Sequence, residues 1–154
     1  MVFNELNDIY REVILDHCRN PRNHHKLENA TITGYGVNPF CGDEVLLQVI
    51  LDNSGRVIQI GTQSQGCSIN QAASSIMTQV VDRKTVAEIK VILSMFREFM
   101  TGSPCEAGPL TELGELEALS GVRRLPVRIK CAMLSWSALE EGIEDYHLDL
   151  ERRA

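Results

Sequence analysis

Aromatic residues are scarce in this chain, 5% of its 154 positions, with a single Trp. Since 44% of the residues are nonetheless hydrophobic, a core has to be assembled mainly from Val, Ile, Leu, Ala and Met. Basic charge is also short: 15 Lys and Arg stand against 21 Asp and Glu, a formal net charge of −6. No segment interleaves basic residues with aromatics, so the positive footprint of a nucleic-acid-binding protein is missing and that class is set aside. No apolar run approaches the roughly 20 residues of a membrane span. The opening MVFNELNDIYREVILDH has no basic n-region, no continuous apolar stretch and no small-residue cleavage site, so it does not read as a secretory leader. The expectation is a cytoplasmic protein with neither membrane nor nucleic acid as partner. No internal repeat or low-complexity tract is present.

What the chain does contain is five cysteines. An odd number in a reducing compartment reads as thiols and not as a disulfide framework. The length points to one domain, residues 1–154, able to bury roughly two-thirds of the surface of its unfolded form without covalent staples.

Hydrophobic periodicity orders the elements. Leu6, Ile9, Tyr10, Val13, Ile14 and His17 fall at helical spacing, with Asn4 available as a cap. Asn20, Pro21 and Asn23 then break the chain into a polar loop. Thr31–Val37, Glu44–Asp52 and Val57–Thr62 read as three short strands, the second placing Val45, Leu47, Val49 and Leu51 on one face. Asn53-Ser54-Gly55 is a turn, and the short connections predict an antiparallel meander. From Gly66 onward the period becomes helical. Ser68-Ile69-Asn70-Gln71 and Thr85-Val86-Ala87-Glu88 have the capping-box form, opening helices over Gln71–Val81 and from Val86 to Met100. Ser103–Pro109 is a loop, Glu112–Leu119 a short helical piece stopping at Gly121, and Pro126 opens a last helix. The fold class is α+β: an N-terminal helix, a three-stranded antiparallel sheet, then C-terminal helices packed on one sheet face.

Three cysteines fall at the ends of these elements. Cys41 lies in the turn Asn38-Pro39-Phe40-Cys41-Gly42-Asp43, Cys67 where a strand hands over to a helix, and Cys131 near the start of the last helix. Asp43, two residues from Cys41, shares its face in extended backbone. Three thiolates and a carboxylate make a tetrahedral set suited to zinc or to sulfur-bound iron. The helix N-terminus favours thiolate at Cys67, and Arg128 and Lys130 are placed to lower the pKa of Cys131. Yet 63 residues separate Cys67 from Cys131, and spacing alone leaves open whether the thiols meet, pack as small hydrophobes, or hold a structural zinc. Cys18 and Cys105 read as packing or surface thiols, His24-His25 as a solvated loop pair, and the acidic stretch from Glu140 to Glu151 as a solvated face. No HExxH pattern is present, and four protein ligands leave no water position, which argues against a zinc hydrolase.

At these residues the chain resembles the U-type iron–sulfur scaffold proteins, and among them the SufU type. The resemblance runs from Tyr10–His17 with Asn20–Asn23, through Asn38–Asp43 and Gly66–Ile69, to Leu116–Val122 and Arg128–Trp136. Several motifs in one order carry it; Cys41-Gly42-Asp43 alone would be weak. The long stretch between Cys67 and Cys131 and a Lys at 130, where IscU-like proteins carry His, favour the SufU type. Leu125-Pro126-Val127-Arg128 departs from the LPPVK-like segment read by a dedicated Hsp70 chaperone, which speaks against that partner.

The resemblance implies that Cys41, Asp43, Cys67 and Cys131 bind zinc. It further implies that Cys41 leaves the metal to accept sulfur from a pyridoxal-phosphate cysteine desulfurase of the SufS kind, whose His replaces it. Downstream scaffold or acceptor proteins would receive the sulfur. A transient [2Fe–2S] cluster or iron on the same ligands is the alternative, and a structural-zinc adapter the third. Whether such a carrier counts as an enzyme is left open.

Overall fold

The structure is a computed structural model that describes residues 2–102 and 111–153, with side chains from 8 to 102 and from 113 to 153. Helix α1 (Val2–Arg19) leads into three strands, β1 (Ile32–Asn38), β2 (Asp43–Leu51) and β3 (Val57–Gln65). Helices α2 (Ser68–Val80) and α3 (Val86–Thr101) follow, then a 3-10 segment (Thr111–Arg124) and the long α4 (Pro126–Arg153). The strands form one antiparallel sheet in the order β1-β2-β3, so the expected α+β architecture is the one observed.

Alternation fixes which sheet face is covered. Val45, Leu47 and Val49 of β2 are buried while Leu46 and Gln48 between them are half-buried and Glu44 before them is exposed, the period of a strand packed on one side. Against this face lie α4, on β1 and β2, and helix α2, which touches β3 and packs on α4. Behind them α3 adds Ile89, Ile92, Leu93, Phe96, Phe99 and Met100 to the same core. The few aromatics are concentrated there: the Phe96 and Trp136 rings lie 5.6 Å apart at 44°, in the tilted arrangement that aromatic pairs prefer.

The contact between α4 and β1 is unusually close. β1 turns Ile32, Gly34, Gly36 and Asn38 toward the helix, and along the antiparallel helix Cys131, Leu134, Ala138 and Gly142 recur at helical spacing. A Cβ at Gly34 would stand 2.9 Å from the Ala138 carbonyl carbon and nearer still to its oxygen. A Cβ at Gly142 would stand 2.9 Å from the Thr33 carbonyl oxygen. Glycine on both sides lets the two backbones touch, which side chains would prevent.

Several boundaries differ from the sequence reading. Asn4 lies inside α1 and not at its cap, and Ile9, assigned to the buried stripe, is 57% exposed. The helical piece does not stop at Gly121: it is a 3-10 segment running to Arg124, kinked at Gly114. Its buried residues Leu113, Leu116, Leu119 and Val122 recur every third position, the period of a 3-10 helix. Cys105 and the Ser103–Pro109 loop lie outside the described residues, as does the Leu6 side chain. Among the described residues no helix is long and apolar enough to cross a membrane.

The α4–β1 contact leads to a stability prediction. Gly34→Ala should cost about 1–3 kcal/mol by overpacking, read as a lower urea midpoint at unchanged slope, whereas Gly121→Ala, whose Cβ would meet nothing within 4 Å, should leave the midpoint near that of the parent.

Candidate metal centre

Each side chain of the expected site sits at an element end. Asn38 and Asp43 are paired residues at the turn end of the β1–β2 hairpin, and the turn between them carries Cys41. Its amide donates to the Asn38 carbonyl oxygen at 3.3 Å. Asn followed by Pro at the first two positions suits such a turn, and Gly42, at φ 66°, supplies the left-handed step that returns the chain to β2. Cys131 is one and a half turns into α4, brought over the same hairpin end by the α4–β1 contact.

The reactive atoms converge. Cys131 Sγ lies 3.3 Å from Cys41 Sγ, and the ligand atoms of Cys41, Asp43 and Cys131 all lie within 4.8 Å of one another. Cys67 adjoins this set without belonging to it by that measure: its Sγ is 3.6 Å from Asp43 Oδ2 and its amide donates to Asp43 Oδ1 at 2.8 Å. All four expected residues therefore meet at one place, three in a tight group and Cys67 at its edge. Exposure separates them, because Asp43 and Cys131 are fully buried whereas Cys41 and Cys67 are partly open.

Cys67 is itself the N-cap of α2, its Sγ accepting from the Asn70 amide. The capping box read from Ser68 is thus shifted by one residue, and the cap is the thiol. Asn70 and Gln71, to which the sequence reading gave no role, hold the loop in front of it: Asn70 Nδ2 donates to the Gln65 carbonyl and Gln71 Nε2 to that of Gly66. Gly66, at φ 117°, leaves the space that Asp43 fills; a Cβ there would lie 2.7 Å from the Asp43 Cα and overlap its Oδ1. The signal for these supports was only the small residue before a cysteine.

The two cations behave differently from expectation. Arg128 is exposed at the edge of the cluster, and its already high pKa is raised by the charge of Cys67 first and then by hydrogen bonding to Cys131 and Cys67. Lys130 instead places its ammonium over the Phe40 ring, 5.6 Å from the centroid, a cation–π contact. The Cys131 thiol is pushed up, not down, chiefly by burial and further by hydrogen bonds to Asp43, Cys41 and Cys67. The expected lowering by neighbouring cations fails because desolvation outweighs it. Cys18, half-buried, points its thiol at the Ser68 carbonyl, 3.1 Å away; it packs against the start of α2, and burial pushes its pKa up.

This donor set fits a soft divalent cation. A fully buried carboxylate has no Lys, Arg or His nitrogen within ion-pair distance among the described residues, and beside it stands a buried thiol whose proton is tightly held. Enclosing such a pair away from water favours a positive charge at their centre. Three sulfurs and one oxygen are what zinc or sulfur-bound iron would take there.

Comparison with known proteins gives the family. Residues 9–152 match the NifU-like N-terminal domain, and the chain belongs to that family. It is 40% identical over 145 residues to the zinc-dependent sulfurtransferase SufU of Bacillus subtilis, across 93% of this chain and 95% of that one. It is 37% identical over 144 residues to the iron–sulfur cluster assembly scaffold protein IscU of Streptococcus pyogenes, across 94% and 88%. Among solved structures it is similar to a protein of Fervidobacterium islandicum described as an iron–sulfur cluster assembly scaffold for the SUF system. That match has TM-score 0.77 and 29% identity over 85% of this chain and 93% of that one. The family resemblance read from the sequence is met.

The buried thiol and the Gly66 cradle each lead to a prediction. In the unfolded chain the Cys131 thiol ionises near its ordinary value of 9.0 and in the fold higher. Above pH 9 the unfolded state therefore sheds this proton first, and folding stability of the chelated protein should fall with rising pH. Cys131→Ser should flatten that part of the melting-temperature profile between pH 8 and about 10. Gly66→Ala should displace Asp43 and weaken metal binding about tenfold or more, the scale of lost ligand support, read by competition with a chromophoric chelator.

Proposed function

We propose that the protein serves iron–sulfur cluster assembly as a zinc-dependent acceptor of persulfide sulfur, taken onto Cys41 from a pyridoxal-phosphate cysteine desulfurase. The observation that carries this reading is the unequal burial of a converged ligand set. Asp43 and Cys131 are fully enclosed, while Cys41 sits partly open on a turn whose neighbour Phe40 is 84% exposed. Two thiols of the group, Cys41 and Cys67, are thus open to a partner's sulfur, and Cys41 is the one carried on a turn with an exposed tip, able to meet it while Asp43 and Cys131 stay in place. The 40% identity to a protein named as a zinc-dependent sulfurtransferase supports the same chemistry.

Cys41, Asp43, Cys67 and Cys131 would hold zinc, which supplies the positive charge that keeps their thiols deprotonated at neutral pH. The chain's own residues do the rest. Gly42 and Pro39 bound the turn that presents Cys41. The Cys41 sulfur attacks the outer sulfur of the donor's persulfide, a new S–S bond forms on Cys41, the donor's S–S bond breaks, and the donor cysteine departs as a thiolate. The step is thiol exchange, limited by thiolate fraction and access. Arg128, at the edge of the cluster, faces the negative charge that this exchange moves. Asp43, a harder ligand than sulfur, keeps the set exchangeable where a fourth cysteine would lock it. Downstream acceptors would draw the sulfur from Cys41.

A second reading, in which the same ligands carry a transient [2Fe–2S] cluster as cargo, is favoured by the scaffold names of the IscU and SUF-system relatives and by the three-sulfur composition of the site. The two separate on one experiment. After incubation with a cysteine desulfurase and cysteine, the intact protein should gain the mass of one sulfur on Cys41, lost on treatment with reductant and absent in Cys41→Ser. A colourless protein that takes no sulfur on Cys41, yet turns brown on anaerobic reconstitution with iron and sulfide, would establish the scaffold reading instead.

A further inference from the structure

The Cys41 turn and the enclosed Cys131 are joined by one residue that is neither of them. Asn38 is the last residue of β1 and is 6% exposed. Its side-chain Nδ2 donates to Cys131 Sγ at 3.8 Å, within the longer reach of a sulfur acceptor. Its Oδ1 accepts from the Phe40 amide at 3.3 Å, and its main-chain carbonyl accepts from the Cys41 amide, also at 3.3 Å. Both ends of the amide are therefore committed, one to the stationary thiol and one to the turn that carries the accessible thiol. Pro39 holds the Asn38 backbone extended, which fixes the direction from which its side chain reaches the site. Asn38 also lines the groove of about 330 Å³ formed with Phe40, Pro126, Val127 and Lys130, directly beside the turn.

From this arrangement we infer that Asn38 is the positioning residue of the site, a latch that holds the Pro39–Gly42 turn closed on Cys131 and sets how readily Cys41 leaves the group. The argument is one of shape and satisfaction. The turn has an exposed tip at Phe40 and a left-handed step at Gly42, so the Asn38 contacts hold it down together with the ligand group itself and the solvent-exposed Lys130 ammonium over the Phe40 ring. A buried amide with both ends paired resists opening, because release leaves polar groups without partners. On the other side, an N–H donor to a thiolate ligand steadies that ligand and its hold on a cation. A partner that presses on Phe40 from the groove would pull on the Phe40 amide that Asn38 Oδ1 accepts. The inference rests on the zinc reading of the site for its second half and on the geometry alone for its first.

Two variants separate the two halves. Asn38→Asp keeps an oxygen for the Phe40 amide and removes the donor to Cys131; Asn38→Ala removes both. In full-length, reduced, chelated protein, alkylation of Cys41 by iodoacetamide is followed by mass spectrometry. It should quicken about fivefold in Asn38→Ala, what one lost hydrogen bond yields, and stay within about twofold of the parent in Asn38→Asp. Zinc release from the loaded protein to a chromophoric chelator should quicken in both variants. Unchanged Cys41 alkylation in Asn38→Ala would overturn the latch, as would equal changes in both readouts for both variants, which a general loosening of the fold produces. If Asn38→Ala does not fold, Asn38→Ser decides the alkylation arm in its place. These measurements use no desulfurase, so a Cys41 that refuses sulfur while the alkylation split holds would sink the proposed function and leave the latch standing.

Discussion

Everything in the site depends on how closely one helix is allowed to lie on one strand. Cys131 and Asp43 come from residues 88 positions apart in sequence, and the seam of Gly34, Gly36 and Gly142 is what sets their separation. Ordinary side chains there would hold the helix off the strand. The thiol would then withdraw from the hairpin end, and no rotamer of Cys, with its single carbon, could recover the gap. Packing energy and ligand geometry are thus the same fact seen from two directions. Bulk at this seam would part the candidate ligands as well as lower stability.

The second organising feature is the separation of what is enclosed from what is reachable. Asp43 and Cys131 are shut into the junction of sheet and helix, where their charge is costly and their positions are fixed. Cys41 and Cys67 belong to a turn and a helix cap, elements that end at solvent. Such a division suits a protein that must keep its site while one member takes part in exchange with another protein. The exposed side chains around the opening, Val37, Phe40, Leu125 and Val127, form an apolar rim beside it. Arg128 and Lys130 lend positive charge to a molecule that is otherwise acidic.

Much of this was legible in the sequence because it is local. Alternation in β2, the Thr85 cap, the Pro126 start and the Asn38-Pro39 turn are each decided within a few residues, and the structure follows them. The residues that converge could be named because Gly and Pro mark the element ends where they sit. What could not be read is what arises only after the chain is folded. The Lys130 ammonium finds the Phe40 ring, 90 positions away, and not the adjacent thiol. Burial of Cys131 outweighs the cations beside it, a contest that spacing along a helix does not reveal. The role of Gly66 emerges only once Asp43 has arrived from another strand. The helical piece over Glu112–Leu119 was read without its 3-10 character, and a glycine at 121 suggested a stop that tertiary contact with α3 and α4 carries through.

That segment has a kinetic consequence. A 3-10 ladder is made of poorly aligned hydrogen bonds, so Thr111–Arg124 is held in place by Leu113, Leu116, Leu119 and Val122 and by the Glu115 carboxylate on His17, and scarcely by its own backbone. Its amide hydrogens will exchange with solvent ahead of those in α3 and α4, through local openings that cost less than unfolding the whole. The four candidate ligands belong to the β1–β2 hairpin, the cap of α2 and α4, so the protein can breathe there without parting them.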